Sequence, residues 1–194
     1  MTSDTPYRRK KWFPFVVTVL IVLAIGTPLY VYYYPHIIYT TWENSIIANG
    51  FGITPNSTGI PVNTLYTVTT LASPSTQNNV AGANHDVLYT LGVLDLSTGP
   101  QVLHVPEMDG RYYSVEFVDP WGDPFSVGQR TTGPGPGDYL ISGPGWKGNV
   151  PAGLTHLAAS DNRLLVFGRV LVYNESDLST AYDLSKQLRV TPLT

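Results

Sequence analysis

The chain has no cysteine. That excludes disulfides, thiolate-held metals and a cysteine nucleophile, although it leaves an oxidising compartment open. It is also poor in charge, since Asp, Glu, Lys and Arg make up 13% of its 194 residues. Cations are missing from a long stretch: no Lys or Arg stands between Lys11 and Arg111. From Pro35 onward there are seven basic and thirteen acidic residues, a net charge of −6. Such a surface offers a phosphate backbone no basic patch, so nucleic acid is not an expected partner. The sequence shows no internal repeat.

What is present begins with Arg8, Arg9, Lys10 and Lys11, directly before an apolar run from Trp12 to Tyr34. About 20 apolar residues match the rise of a helix across the hydrocarbon core. One-sided basic charge places the N-terminus in the cytoplasm and the rest of the chain outside. Trp12 and Phe13 at one end, and Tyr30, Tyr32, Tyr33 and Tyr34 at the other, suit the interfacial aromatic belts. The competing reading is a cleaved signal peptide. Against it, the run is long for such a segment, and Tyr-rich sequence follows where small residues should mark cleavage. The expectation is a single-pass protein of the cell membrane: residues 1–11 cytoplasmic, 12–34 spanning, the remainder extracytoplasmic. The lipid bilayer is therefore an expected partner.

Residues 35–64 read as an amphipathic segment and linker. Ile38, Trp42 and Ile46 recur at every fourth position, and Asn49-Gly50 is a plausible stop. This segment is expected to lie on the membrane surface or pack on the domain, with those three residues as an interaction surface. Residues 65–194 form the domain. Its 18 glycines and 16 prolines (counted over the whole chain) favour turns and short strands over long helices. Strands are expected over 65–71, 87–94, 100–105, 111–118, 138–142 and 164–172, with 73–79 turn-like. The last strand is apolar on both faces, which points to a central position. Asp109-Gly110 carries a hairpin signal. Leu178, Ala181, Tyr182, Ser185 and Leu188 share one helical face, with Ser176 as N-cap. The fold class is mainly β: a β-sandwich or jelly-roll-like domain with one N-terminal transmembrane helix and a short C-terminal helix.

Few motifs carry chemistry. His36, His85, His104 and His156 lack local metal-ligand spacing, although a fold could gather His85, Asp86 and His104. Ser142 lies in Ile141-Ser142-Gly143-Pro144-Gly145, which is not a nucleophile elbow. A Ser–His–Asp hydrolase would need an arrangement visible only in space. The Gly/Pro loops at 131–137 and 143–148 lack the Walker pattern. Trp121 and Trp146, on turn-rich segments, are read as caps on the core or as a platform for a sugar or aromatic ligand. Arg169 interrupts an apolar strand, so a buried ion pair with Asp86, Asp95 or Asp119 is expected. Asn56-Ser57-Thr58 and Asn174-Glu175-Ser176 match the glycosylation sequon, a frequent chance pattern.

A set of short stretches also occurs in a familiar order. They are Val62-Asn63, Asn84-His85-Asp86-Val87-Leu88-Tyr89, Asp95-Leu96, Gly110-Arg111-Tyr112-Tyr113, Asp119-Pro120-Trp121, Arg130-Thr131-Thr132-Gly133, Gly143-Pro144-Gly145-Trp146-Lys147-Gly148, Gly168-Arg169-Val170 and Thr191-Pro192-Leu193. Together they resemble the domain of unknown function 1254 family, from about Tyr34 to the C-terminus. The resemblance implies a β-sandwich or jelly-roll domain and brings no assigned reaction. Members usually carry Asn-x-Asp-Thr-x-Tyr, where this chain has Val87 in place of Thr. That takes a hydroxyl from the most site-like motif, and with it the ground for carrying over a shared activity. Many members carry a second, sister β-domain, whereas this sequence stops at Thr194, where the first domain would end.

The leading expectation is an accessory or interaction subunit that presents an extracytoplasmic β-domain to a membrane protein, or to a separate chain with the sister domain. The alternative is an extracytoplasmic enzyme or ligand-binding protein, with a hydrolase as the candidate enzyme class and no cofactor or metal expected. Its candidate ligand-binding residues are Asn84, Asp86, Tyr89, Arg111, Trp121 and Arg130, polar or aromatic residues in or beside turns.

Overall fold

The computed structural model describes residues 12–73 and 84–194. The basic cluster Arg8–Lys11 and most of the turn expected over 73–79 lie outside the described residues. A single helix, α1, runs from Trp12 to Asn49, with Pro28 and Pro35 inside it. The boundary drawn between Tyr34 and Pro35 does not interrupt it. Each proline deprives the carbonyl four residues earlier of its donor, which a long helix otherwise well bonded can absorb. The helix is long and apolar enough to cross a membrane.

Among the described residues nine strands follow: β1 (Thr64–Thr67), β2 (Val87–Asp95), β3 (Gln101–Val105), β4 (Tyr113–Val118), β5 (Pro124–Gly128), β6 (Gly137–Ser142), β7 (Leu154–Ala158), β8 (Arg163–Leu171) and β9 (Arg189–Pro192). A short helix, α2 (Leu178–Ser185), precedes β9. The strands form a five-stranded sheet in the order β1-β2-β8-β4-β5 and a four-stranded sheet in the order β7-β6-β3-β9. All pairings are antiparallel except β6 with β7. β8 is central in its sheet, as its two apolar faces require. Gly168 on β8 answers a close approach, because a Cβ there would come within 2.9 Å of the Thr90 Cβ.

Asp109 and Gly110 both take positive φ, the turn geometry their sequence favours. They do not close a hairpin, however. β3 and β4 belong to different sheets, so the turn carries the chain from one layer to the other. β5, β7 and β9 are absent from the sequence reading. Each is only four or five residues long, and β7 and β9 lie at sheet edges with no fully buried residue.

The two sheets share one core. Leu94, Val115, Phe117, Leu164 and Val166 of the larger sheet meet Leu103, Val105, Tyr139 and Ile141 of the smaller. The other face of the larger sheet is covered in part by α1. Tyr39 and Ile46 pack with Leu91, Val93 and Leu165, joined by Phe51 and Ile60 from the connection to β1. The residues from Tyr39 to Ile60 therefore belong to the packed unit rather than to a linker. α2 closes one end, burying Ala181 beside Leu88 and Val172. A chain of buried hydroxyls, Thr67 to Thr90 at 2.9 Å and Thr90 to Ser185 at 3.0 Å, ties α2 to β1 and β2. Asn174 caps the 3-10 turn Glu175–Asp177 that leads into α2, its side chain accepting from the Asp177 amide, and Asp177 rather than Ser176 holds the N-cap position of α2.

Candidate functional site

The strand register divides the six ligand-binding candidates between two ends of the larger sheet. Val87 pairs with Leu171, Tyr113 with Val170, and Ser114 with Gly128. Asn84, Asp86, Tyr89, Arg111 and Arg130 therefore gather at the end where β2 and β4 begin. Trp121 sits at the opposite end, in the β4–β5 turn. Within the group of five, Arg111 is already committed. It is 3% exposed and donates to both Asp177 oxygens, at 2.5 and 2.8 Å, and to the Leu171 carbonyl. Its guanidinium also stacks on Tyr173, 4.7 Å from the ring centre. The bidentate pairing holds the Asp177 carboxyl below the usual carboxylate range. The Tyr89 hydroxyl accepts from the Asn84 amide at 2.8 Å, and Arg130 lies over the Tyr112 ring. Asn84, Asp86 and Arg130 are exposed. This end is chiefly a clamp that locks the loop before α2.

Arg169 corrects the sequence expectation. Its partner is Glu116 on β4, at 2.9 Å, and not Asp86, Asp95 or Asp119. The two side chains are 32% and 31% exposed, so this is a surface pair on the part of the sheet that α1 leaves open. The fully buried arginine is Arg111, which the strand pattern does not single out.

Reactive side chains concentrate instead on the outward face of the smaller sheet. Because Leu103, Val105, Tyr139 and Ile141 face the core, their neighbours His104, Asp138 and Ser142 point away from it. His104 pairs with Asp138 across β3 and β6. Its Nδ1 lies 2.7 Å from Asp138 Oδ1, and its Nε2 lies 2.8 Å from the Thr191 hydroxyl on β9. This is a carboxylate–imidazole–hydroxyl line, the connectivity that activates a hydroxyl nucleophile. A second pair stands beyond Leu140, where the Ser142 hydroxyl is 2.9 Å from His156 Nε2 on β7. Trp146 lies against the same imidazole, its ring centre 5.3 Å away. His85 is elsewhere, its ring nitrogen bonded to the Ala72 carbonyl, so the His85–Asp86–His104 grouping does not form. Sequence reading missed Asp138 and Thr191 because their relation to His104 depends on which strands are neighbours. Period-2 alternation alone does place Asp138 and Ser142 on one face.

The junction of α1 with the sheets is the third concentration of polar groups. Glu43, buried on the helix, accepts from Arg163 Nε at 2.5 Å and also from Nη2. Arg163 Nη1 donates to Asp95 at 2.7 Å. Burial opposes the Arg163 charge, but hydrogen bonds to Glu43 and Asp95 outweigh it and raise its pKa. Asp95 is held low, first by the Ser97 hydroxyl. The Tyr39 hydroxyl is buried beside them without a hydrogen-bond partner, and burial raises its pKa, so it stays a neutral phenol. Of the three residues read as an interaction surface, Ile46 is wholly buried here and Trp42 stands edge-on to Phe51 and Phe167. Ile38 alone of the three remains exposed. Among the described residues, no group of three His, Asp or Glu could hold a metal ion.

Fold and side-chain chemistry thus define a two-sheet β protein carried on one long apolar helix, with an imidazole-bearing sheet face. The chain belongs to the family described as "Protein of unknown function (DUF1254)", whose pattern it matches over residues 62–192. No curated protein matches it. Among solved structures it is similar to the VPA0106 protein from Vibrio parahaemolyticus, with a TM-score of 0.66 and 24% identity over 84% of this chain. The chain spans 36% of that protein's length. At that identity the likeness concerns the fold. An uncharacterised protein from Burkholderia cenocepacia has a TM-score of 0.39 and 15% identity over 57% of this chain and 31% of its own.

Proposed function

We propose that the chain is a single-pass membrane protein whose N-terminus is cytoplasmic and whose jelly-roll-like β-domain stands outside. There it acts as an accessory or interaction subunit of a membrane or envelope complex. The observation that carries this reading is the division of α1. From Trp12 to Tyr34 its large apolar side chains are exposed, whereas from Tyr39 onward the same helix packs on the domain. Exposed Leu20, Ile21, Val22, Leu23 and Ile25 require a cover, and lipid provides one over the right length. The helix continues without interruption from the exposed run into Tyr39 and Ile46, which belong to the core, and this continuity supports an anchor retained with the fold. The partner would be a multi-spanning membrane protein or a separate chain bearing the sister domain. Gly26 and Thr27 let another helix approach closely, and nothing lies within 4 Å of a Cβ built on Gly26. A photo-cross-linker at Ile38 in native membranes tests the subunit reading. A discrete protein adduct in stoichiometric yield is expected; adducts to lipid alone would reject it.

A second reading, an extracytoplasmic hydrolase, is favoured by the Asp138–His104–Thr191 line. In that reading Asp138 orients the imidazole, His104 takes the Thr191 hydroxyl proton as Thr191 attacks an acyl carbon and gives it to the leaving oxygen as the ester C–O bond breaks, and water then cleaves the acyl–Thr191 ester by the same proton transfers. Release of chromophore from an activated acyl ester by the detergent-solubilised protein is the test. Turnover that falls to background in His104→Ala but persists in His85→Ala supports it. Equal turnover in both variants would remove it.

A further inference from the structure

The tip of the β4–β5 turn is built as tightly as the core yet ends in an exposed tryptophan. Asp119, 2% exposed, accepts from the Trp121 and Asp123 amides, both at 2.9 Å, and from the Ser160 hydroxyl at 2.6 Å. The buried carboxylate therefore fixes the turn, and Gly122, at φ 85°, completes it. Trp121 itself remains 43% exposed. It does not cap the sandwich core. Its ring faces α1, with ring centres 5.3 Å from Tyr32, 6.3 Å from Tyr33 and 5.6 Å from His36.

The height of that contact along the helix is what matters. At 1.5 Å per residue, a hydrocarbon core of about 30 Å is crossed in about 20 residues. Counted from Trp12, the crossing ends near Val31. Tyr32, Tyr33 and His36 then stand at the outer headgroup level, and Trp121 stands beside them. Trp and Tyr favour this level because an apolar ring and a polar N–H or O–H find both media there. Asp119 is sealed inside the turn, so its charge does not oppose the approach. The exposed Asp123 at the same tip gives no attraction to anionic lipid.

We propose that Trp121 is a second point of contact between the domain and the bilayer, inserted at the headgroup level beside the Tyr32–Tyr33–His36 stretch of α1. The inference rests on the reading that α1 spans the membrane. It goes further, because the docked helix sets the height of the domain, whereas a second contact at a rigid turn also resists rocking and rotation of the domain about the helix. The outward face of the smaller sheet would then be held at a set orientation to the membrane. The contact works through the ring and not through charge, so it needs no anionic lipid.

The test uses the full chain in nanodiscs of phosphatidylcholine, with or without bromine on the upper acyl carbons. One variant keeps Trp121 as its only tryptophan, with Trp12, Trp42 and Trp146 changed to phenylalanine. A companion keeps only Trp12. About two-fold lower Trp121 emission in brominated lipid is expected, since bromine quenches on contact and interfacial rings lie within reach of it. Quenching of Trp12 without quenching of Trp121 overturns the proposal and leaves the spanning helix standing. Quenching of neither overturns both. Should loss of Trp42 destabilise the domain, Trp121→Cys with a spin label supplies the same answer, because the chain has no other cysteine. Greater relaxation by oxygen than by a water-soluble nickel chelate supports insertion, and the reverse order rejects it.

Discussion

The two halves of α1 differ in composition and in fate: the first is almost wholly apolar, the second amphipathic. From Trp12 to Tyr34 the helix buries nothing, while from Tyr39 to Asn49 it buries Tyr39, Glu43 and Ile46. Glu43 is the first charged residue after Lys11. Its carboxylate meets Arg163, and through Arg163 Asp95, adding a polar anchor to the apolar contacts of Tyr39 and Ile46. Apolar contacts of Tyr39 and Ile46 together with the Glu43–Arg163 pair seat the second half on the sheet, while the first half leaves its apolar side chains exposed.

The largest test of that contrast is a truncation in each half. Ile46→Ala empties a fully buried site and is expected to cost about 2–5 kcal/mol in domain unfolding. Leu23→Ala, in the exposed half, is expected to leave the unfolding midpoint unchanged. Similar losses from the two would show that the outer half also packs on protein. Next, Glu43→Leu strands part of the Arg163 guanidinium and is expected to cost about 1–3 kcal/mol by denaturant titration. An unchanged midpoint would show that apolar contact alone docks the helix.

Acid sharpens the comparison between the two ends of the larger sheet. Asp95, near the helix, and Asp177, at the far end, are both held below the usual carboxylate range, by the Ser97 hydroxyl and by Arg111 respectively. A depressed folded-state pKa gives stability that is complete above the unfolded value, about 3.9. It is lost as pH falls through the depressed values. The melting temperature is therefore expected to be flat from about pH 7 to 5 and to fall below about pH 4. Asp177→Asn should lower the plateau and make the acid fall shallower. An unaltered acid limb would remove Asp177 from the account. The smallest effect belongs to the surface pair, where Arg169→Leu and Glu116→Gln should each stay within about 1 kcal/mol of wild type. A loss of several kcal/mol would mean the pair is better shielded than a third-exposed pair should be.

These arginines also show what the sequence could and could not disclose. An arginine among Val, Phe and Leu looks buried, but Arg169 faces outward on an alternating strand, on the part of the sheet the helix does not reach. Arg111 looks like an exposed turn residue, yet the loop before α2 folds over it and supplies Asp177 from 66 residues away. Local pattern reads alternation and turns, so β2, β3, β4, β6, β8 and α2 were legible. The short edge strands β7 and β9 bury too little to leave a pattern. The Asp138–His104–Thr191 line was illegible for a related reason, since it exists only because β6 and β9 flank β3. The helix was legible in composition but not in length, because Pro28 and Pro35 suggest a break that the helix absorbs.

The central claim is that α1 crosses the bilayer once and holds the domain outside. The absence of native cysteine makes a single introduced one an unambiguous reporter. Ser3→Cys and Thr131→Cys, the latter on an exposed loop, are to be treated in intact cells with a membrane-impermeant maleimide. The account expects Thr131→Cys to label at once, Ser3→Cys to label only after lysis, and both proteins to sediment with membranes. Labelling of Ser3→Cys in intact cells, or protection of Thr131→Cys until lysis, would contradict it.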